Sequence, residues 1–66
     1  MDYKKTAADI LKLVGGEKNV NGVSHCMTRL RFVLNDETKA DTKAIERLDG
    51  VQGVVVKNGQ YQVVIG

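Results

Sequence analysis

The spacing of apolar residues near the start of the chain predicts a helix. Four of them recur at intervals of three and four residues, which places them on one helical face. These residues are Ala7, Ile10, Leu11 and Val14. We therefore predict a helix from Asp2 to Val14, capped by the Asp2 side chain and ended by Gly15-Gly16, because glycine accepts the left-handed conformation that often follows a helix.

Beyond Asn19 the apolar residues alternate with polar ones, which is typical of β-strands. We predict a first strand from Val20 to Met27 and a second from Arg29 to Leu34. In the second strand, alternation sends one set of side chains towards the core and the other set to the opposite face. The core set is Leu30, Phe32 and Leu34, and the opposite set is Arg29, Arg31 and Val33.

The middle of the chain is predicted to be a loop followed by a short helix. The polar run 35–40 favours a loop, and Asp41 or Thr42 can cap a helix that carries Ile45 and Leu48. Gly50 is expected to end this helix.

The last segment predicts a hairpin, because Asn58-Gly59 suits a two-residue type I′ turn between the runs 54–57 and 60–65. This turn would pair Val56 with Tyr61 and Val54 with Val63. The expected core residues are Val54, Val56, Tyr61, Val63 and Ile65, and those of the outer face are Val55, Gln62 and Val64.

These elements follow the order αββαββ, which predicts an α+β fold. We expect a two-layer sandwich in which the helices cover one face of a four-stranded antiparallel sheet and leave the other face open. Residues 1–66 would form a single domain, because no linker-like or repeated segment interrupts them.

Composition narrows the chemistry that the domain can perform. One cysteine and one histidine cannot form an intramolecular disulfide or a four-ligand zinc site, so the core must hold the fold without them. A lone thiol and the absence of a continuous apolar stretch predict a cytosolic location without a membrane span. The net charge of +2 is small for a dedicated nucleic-acid-binding protein.

Cys26 carries the most informative chemistry because of the residues around it. Thr28, Arg29 and Arg31 follow it closely, and positive charge beside a cysteine favours its nucleophilic thiolate form. The arginines also suit bidentate binding of phosphate. His25 is a weak candidate for a Cys–His pair, because adjacent strand residues point to opposite sides. Alternation places Gln62 on the same side as the arginines.

The run Cys26-Met27-Thr28-Arg29-Leu30-Arg31, between a helix ending in Gly-Gly and an Asn-Gly hairpin, resembles the enzyme IIB domain of the sugar phosphotransferase system. The similarity is greatest to the glucose and sucrose/β-glucoside superfamily and covers nearly the whole chain. It implies that Cys26 becomes a phosphocysteine, with Arg29 and Arg31 as functional arginines. It further implies that Thr28 and Gln62 bind the phosphoryl group.

The resemblance also implies partners. Cys26 would accept the phosphoryl group from a phosphohistidine of enzyme IIA and pass it to a sugar held by the membrane enzyme IIC, without a metal or other cofactor. The domain would then work at the cytoplasmic side of the membrane, tethered through enzyme IIC. Which sugar is used stays open among β-glucosides, sucrose and trehalose.

In this family a third helix normally follows and covers the same sheet face, so the chain is expected to be a fragment without it. We therefore expect the apolar sheet surface near Val54, Tyr61 and Val63 to be partly uncovered, which would favour self-association.

Two alternatives belong to other functional classes. A small basic α+β module could bind nucleic acid with its sheet, which salt-dependent RNA or DNA binding would indicate. A thiol redox sensor is the other, although the sequence offers no second cysteine to resolve an oxidised Cys26.

Overall fold

The computed structural model describes residues 3–57 and 59–65. Its helices and strands follow the predicted order αββαββ, with single 3₁₀ turns at Glu17–Asn19 and Glu37–Lys39. The elements are α1 (Tyr3–Leu13), β1 (Val20–Cys26), β2 (Arg29–Leu34), α2 (Thr42–Glu46), β3 (Val51–Lys57) and β4 (Gln60–Ile65). Over these described residues, no helix is both long enough and apolar enough to cross a membrane.

The four strands form one antiparallel sheet in the order β1-β2-β4-β3. The predicted hairpin register is confirmed, since Val54 lies opposite Val63 and Val56 opposite Tyr61. Gly59 has a φ of 74°, as a primed turn requires, whereas Asn58 lies outside the described residues. The order leaves β1 and β3 at the edges and places β4 in the middle.

The hydrophobic core lies between the helices and one face of the sheet. Its buried members are Ile10, Val14, Leu30, Phe32, Ile45, Tyr61, Val63 and Ile65. A hydrogen bond of 2.6 Å between the Thr42 and Tyr61 hydroxyls also joins α2 to β4. The predicted α+β sandwich with helices on one face is therefore confirmed.

One prediction about burial fails in part, and another is wrong. Tyr61 and Val63 are only 1% and 0% exposed, because α1 and α2 already cover the central strands. Val56 is predicted in the core but is 54% exposed, near the hairpin end of the edge strand β3. Val54 is half-buried. Tyr61 and Val63 therefore do not provide the uncovered apolar surface that was expected to favour self-association.

Several boundaries also differ from the prediction. β3 begins at Val51, three residues earlier than expected, with an irregular register between Val51 and Gly53. β1 ends at Cys26, and α2 ends at Glu46, ahead of Leu48. The predicted cap at Asp41 is present, because its side chain accepts a hydrogen bond from the Ala44 amide. The Asp2 cap lies outside the described residues.

Asn19, which the sequence analysis did not single out, connects α1 to the loop after β2. Its buried side chain donates to the Val14 carbonyl at 2.7 Å and to the Asp36 carbonyl at 2.9 Å, and it accepts from the Asp36 amide at 2.9 Å. Gly15 makes room for it, since a Cβ at Gly15 would lie 2.8 Å from the Asn19 Nδ2 atom. These bonds hold the end of α1 against the sheet.

Candidate functional site

Cys26 ends β1 and lies directly opposite Arg29, the first residue of β2. The two strands are joined by a two-residue turn of Met27 and Thr28. Met27 has a φ of 32°, a conformation that costs a residue with a side chain roughly 1–2 kcal/mol, and it is 95% exposed. The Cys26 side chain is also exposed and forms no disulfide. The tight turn therefore presents the thiol to solvent beside an arginine.

The sheet register brings the predicted site residues onto one face, because residues directly opposite each other share a face. Arg31 lies opposite Ser24 on β1 and opposite Gln62 on β4. We call the sheet surface away from the helices the open face. It includes Ser24, Cys26, Arg29, Arg31, Val55, Lys57, Gln60 and Gln62. Cys26, both arginines and Gln62 thus lie together, as the alternation predicted.

Gln62 is more enclosed than an outer-face residue was expected to be, with 7% exposure. It lies on the central strand β4, flanked on both sides by neighbouring strands. Its Oε1 atom accepts a hydrogen bond of 2.9 Å from Arg29 Nη1, and its Nε2 atom donates one of 3.2 Å to Gln60 Oε1. The sequence analysis did not identify Gln60, although its i, i+2 spacing from Gln62 was a visible signal.

The two arginines are held differently. Arg29 is exposed and its guanidinium is bound by Gln62, whereas Arg31 is half-buried. The Nε atom of Arg31 is buried and has no hydrogen-bond partner among the described residues. Leaving such a donor unpaired costs about 1–3 kcal/mol. Arg31 therefore keeps a donor that the described part of the protein does not use.

Thr28 and His25 complete the surroundings of Cys26. Thr28 is exposed in the turn, and its carbonyl accepts a hydrogen bond of 2.7 Å from the Ile65 amide, which ties the turn to the end of β4. His25 lies opposite Leu30, on the face of β1 opposite to that of Cys26. The register thus places His25 and Cys26 on opposite faces, as strand alternation predicted.

Charge is distributed unevenly between the two layers. The four strands carry Arg29, Arg31 and Lys57 but no aspartate or glutamate. The carboxylates of the described residues lie in the helices and loops: Asp9, Glu17, Asp36, Glu37, Asp41, Glu46 and Asp49. The open face, which carries positive charge and no carboxylate among the described residues, is thus suited to binding an anion. Within the described ranges, no group of three or more His, Cys, Asp or Glu residues could hold a metal ion.

Comparison with known proteins adds an independent observation. The model of the family "phosphotransferase system, EIIB" matches residues 8–41. The chain is 56% identical over 66 residues to the β-glucoside-specific EIIBCA component of Bacillus subtilis, covering 100% of the chain and 11% of that protein. It is 53% identical over 66 residues to the sucrose-specific EIIBC component of Staphylococcus xylosus, covering 100% of the chain and 14% of that protein.

Two further matches agree. The trehalose-specific EIIBC component of Bacillus subtilis is 46% identical over 65 residues, covering 98% of the chain and 14% of that protein. The crystal structure of one domain of the IIabc component of the phosphotransferase system from Clostridium difficile superposes with a TM-score of 0.89 at 39% identity. The match covers 97% of this chain and 66% of that one. The chain thus spans 11–14% of the length of these curated relatives. None of these matches supports the nucleic-acid-binding alternative.

Proposed function

Since the chain belongs to the phosphotransferase system EIIB family, we propose that Cys26 carries a phosphoryl group between two proteins. It takes the group from a phosphohistidine of enzyme IIA and passes it to a sugar bound by enzyme IIC. The observation that carries this proposal is the placement of an exposed thiol opposite Arg29, on a face that also holds Arg31 and no carboxylate.

The transfer consists of two substitutions at phosphorus. In the first, the Cys26 thiol loses its proton and attacks as the thiolate, a sulfur–phosphorus bond forms, and the phosphorus–nitrogen bond breaks while the departing imidazole of enzyme IIA takes up a proton and becomes neutral. In the second, a sugar hydroxyl attacks, the sulfur–phosphorus bond breaks, and the thiolate returns while the hydroxyl proton passes to a base or to solvent. The protein must therefore stabilise the negative charge on the phosphoryl oxygens during both steps.

Four residues near Cys26 have a part in the proposed chemistry. Arg29 and Arg31 bind the phosphoryl oxygens, because guanidinium groups donate two parallel hydrogen bonds to such anions. Thr28 supplies a hydroxyl next to the cysteine. Gln62 holds the Arg29 guanidinium and contributes an amide beside the phosphoryl group. A bound phosphoryl carries about −1.5 to −2 charges near neutral pH, which the two arginines offset.

The partners follow from the way the relatives are built. Their names join EIIB to EIIC, or to EIIC and EIIA, and specify β-glucosides, sucrose or trehalose. We accordingly propose an enzyme IIC partner of this sugar class, which would hold the domain at the cytoplasmic side of the membrane. We also propose that residues 1–66 form one EIIB-like domain.

Phosphorylation in solution tests the proposal. Incubation with phosphorylated enzyme IIA should add one phosphoryl group to the intact mass and give a phosphothiol signal in the ³¹P NMR spectrum. The matched control is Cys26→Ser, which keeps the size of the residue but lacks the thiol, and should give neither signal. The proposal is wrong if the folded, unmodified chain forms no phosphothiol, or if Cys26→Ser is phosphorylated equally well.

A further inference from the structure

Gln60 forms the outer end of a chain of side-chain hydrogen bonds that leads to Arg29. The Gln62 Nε2 atom donates to Gln60 Oε1 at 3.2 Å, and Arg29 Nη1 donates to Gln62 Oε1 at 2.9 Å. Gln60 and Gln62 are two residues apart on β4 and therefore point to the same face. The oxygen of the Gln62 amide and one of its two N–H groups are thus bonded to side chains of the open face.

The burial of Gln62 makes the orientation of its amide important. With 7% exposure, this side chain has little access to water as a substitute partner. Turning the Gln62 amide by 180° would place its nitrogen against the Arg29 donor, so that bond would be lost, and its oxygen against the Gln60 oxygen unless the Gln60 amide turned as well. Gln60, which offers an acceptor to the amide nitrogen, therefore favours the orientation in which the oxygen faces Arg29.

The orientation of Gln62 in turn sets the position of the Arg29 guanidinium. On β2, Arg29 lies directly opposite Cys26 of β1 and Val64 of β4. Gln62 is two residues from Val64 on β4, so the bond from Arg29 to Gln62 runs diagonally across the two strands, towards the middle of the open face. Arg29 is exposed, and a long exposed side chain without a fixed partner adopts many rotamers. The Gln62 amide restricts this freedom at the residue opposite the thiol.

We propose that Gln60 is a positioning residue, which fixes the Gln62 amide so that Arg29 is held ready on the open face for an anion at Cys26. The inference rests on the proposed phosphoryl transfer for its functional meaning. Gln60 itself does not touch the reacting atoms. Its contribution is to reduce the reorganisation of Arg29 when the phosphoryl group arrives.

Two substitutions of Gln60 separate the effect of its hydrogen-bond acceptor from the effect of its side-chain length. Gln60→Met keeps the length but removes the acceptor, and Gln60→Glu keeps an acceptor oxygen at the same reach. In the unphosphorylated protein, we expect Gln60→Met to shift the side-chain amide signals of Gln62 and to speed their hydrogen exchange, whereas Gln60→Glu should preserve the protection. Unchanged Gln62 signals in a folded Gln60→Met protein would overturn the proposal.

Kinetics test the functional part. Gln60→Met should slow phosphoryl transfer through Cys26 by about 3- to 10-fold, the effect of losing one hydrogen bond. Gln60→Glu serves the NMR comparison only, because its carboxylate would repel a phosphoryl group on the open face. In a double-mutant cycle, adding Gln60→Met to Gln62→Met should cause no further loss of transfer rate, because Gln60 acts through Gln62. Additive losses would overturn the proposal. If the unmodified chain carries no phosphoryl group, the proposed function fails, and the NMR experiment still decides whether Gln60 orients Gln62.

Discussion

At the scale of single residues, the two arginines of the open face differ in how much of their binding capacity is already used. Gln62 engages the Arg29 guanidinium, while the Nε atom of Arg31 has no partner among the described residues. A guanidinium carries five N–H donors, so the proposed phosphoryl group can bind Arg29 while its Nη1 atom keeps the bond to Gln62.

We expect the arginines to matter more for passing the phosphoryl group on than for holding it, because they can follow the charge as it moves to the sugar. Arg29→Lys and Arg31→Lys keep the charge but lose the planar pair of donors. Each should slow transfer to sugar by about tenfold or more, with a smaller effect on phosphorylation by enzyme IIA. Rapid-quench kinetics of the two half-reactions measure this, and transfer to sugar at the unmodified rate in both variants would contradict it.

A second residue-scale prediction concerns Asn19, whose buried amide makes three hydrogen bonds. Asn19→Ala removes this amide and leaves the carbonyl of buried Val14 and the amide of half-buried Asp36 without this partner. The free energy of unfolding should fall by about 2–4 kcal/mol, as measured by urea denaturation.

The matched control is Asn21→Ala, since Asn21 is exposed and bonds only to the Asn35 side chain among the contacts described. Its substitution should cost well under about 1 kcal/mol. Equal losses of unfolding free energy for the two variants would contradict the prediction, because burial would then not increase the contribution of the Asn19 hydrogen bonds to stability.

At the scale of the elements, the contact between α2 and β4 depends on the Thr42–Tyr61 hydrogen bond. Burial raises the pKa of Tyr61 above its ordinary value of 10.0. Because the pKa is higher in the folded state than in the unfolded one, the associated stability is complete below about pH 10 and is lost as the pH rises through the folded value.

Tyr61→Phe removes both the hydrogen bond and the titration. At neutral pH the variant should lose about 1 kcal/mol of unfolding free energy. Above about pH 10 its stability should decline less steeply than that of the unmodified chain. Urea denaturation over a series of pH values measures both effects, and parallel pH profiles would contradict the assignment of the raised pKa to Tyr61.

Local patterns in the sequence were sufficient where an element is defined by its own residues. The alternation of β2 and the Asn58-Gly59 signal correctly predicted the shared face of Arg29 and Arg31 and the pairing of β3 with β4. The family was also correctly identified from the residues around Cys26. These features depend on short-range geometry, which a single sequence displays.

Features that depend on distant neighbours were missed. Val56 alternates like a core residue, yet its exposure follows from the position of β3 at the sheet edge. Gln62 has the polarity of a surface residue, yet its burial follows from the central place of β4. Asn19 gained its role from Val14 and Asp36, and its link to Asp36 spans 17 positions along the chain. Periodicity carries no information about such contacts.

At the scale of the whole molecule, the separation of charge predicts how partners approach. The strands carry only positive charges among the described residues, and the carboxylates lie in the helices and loops. An acidic partner should therefore be attracted to the open face. Association with phosphorylated enzyme IIA should slow by about tenfold between about 0.05 and 0.5 M salt, because ions screen this attraction.

A matched pair of variants tests the direction of approach. Lys57→Gln removes a charge from the open face, and Lys12→Gln removes one from α1. Stopped-flow association at low salt should be slowed more by Lys57→Gln. Equal effects would show that the net charge of the chain governs association, and not its distribution.

The central place of β4 has a consequence for the synthesis of the protein. β4 is the last of the four strands in chain order, yet both β2 and β3 hydrogen-bond to it. A nascent chain that has reached only Lys57 holds an incomplete sheet whose open strand edges can pair with other chains. The sheet can therefore close only after β4 has left the ribosome, and Leu30 and Phe32 become fully enclosed in the core only then.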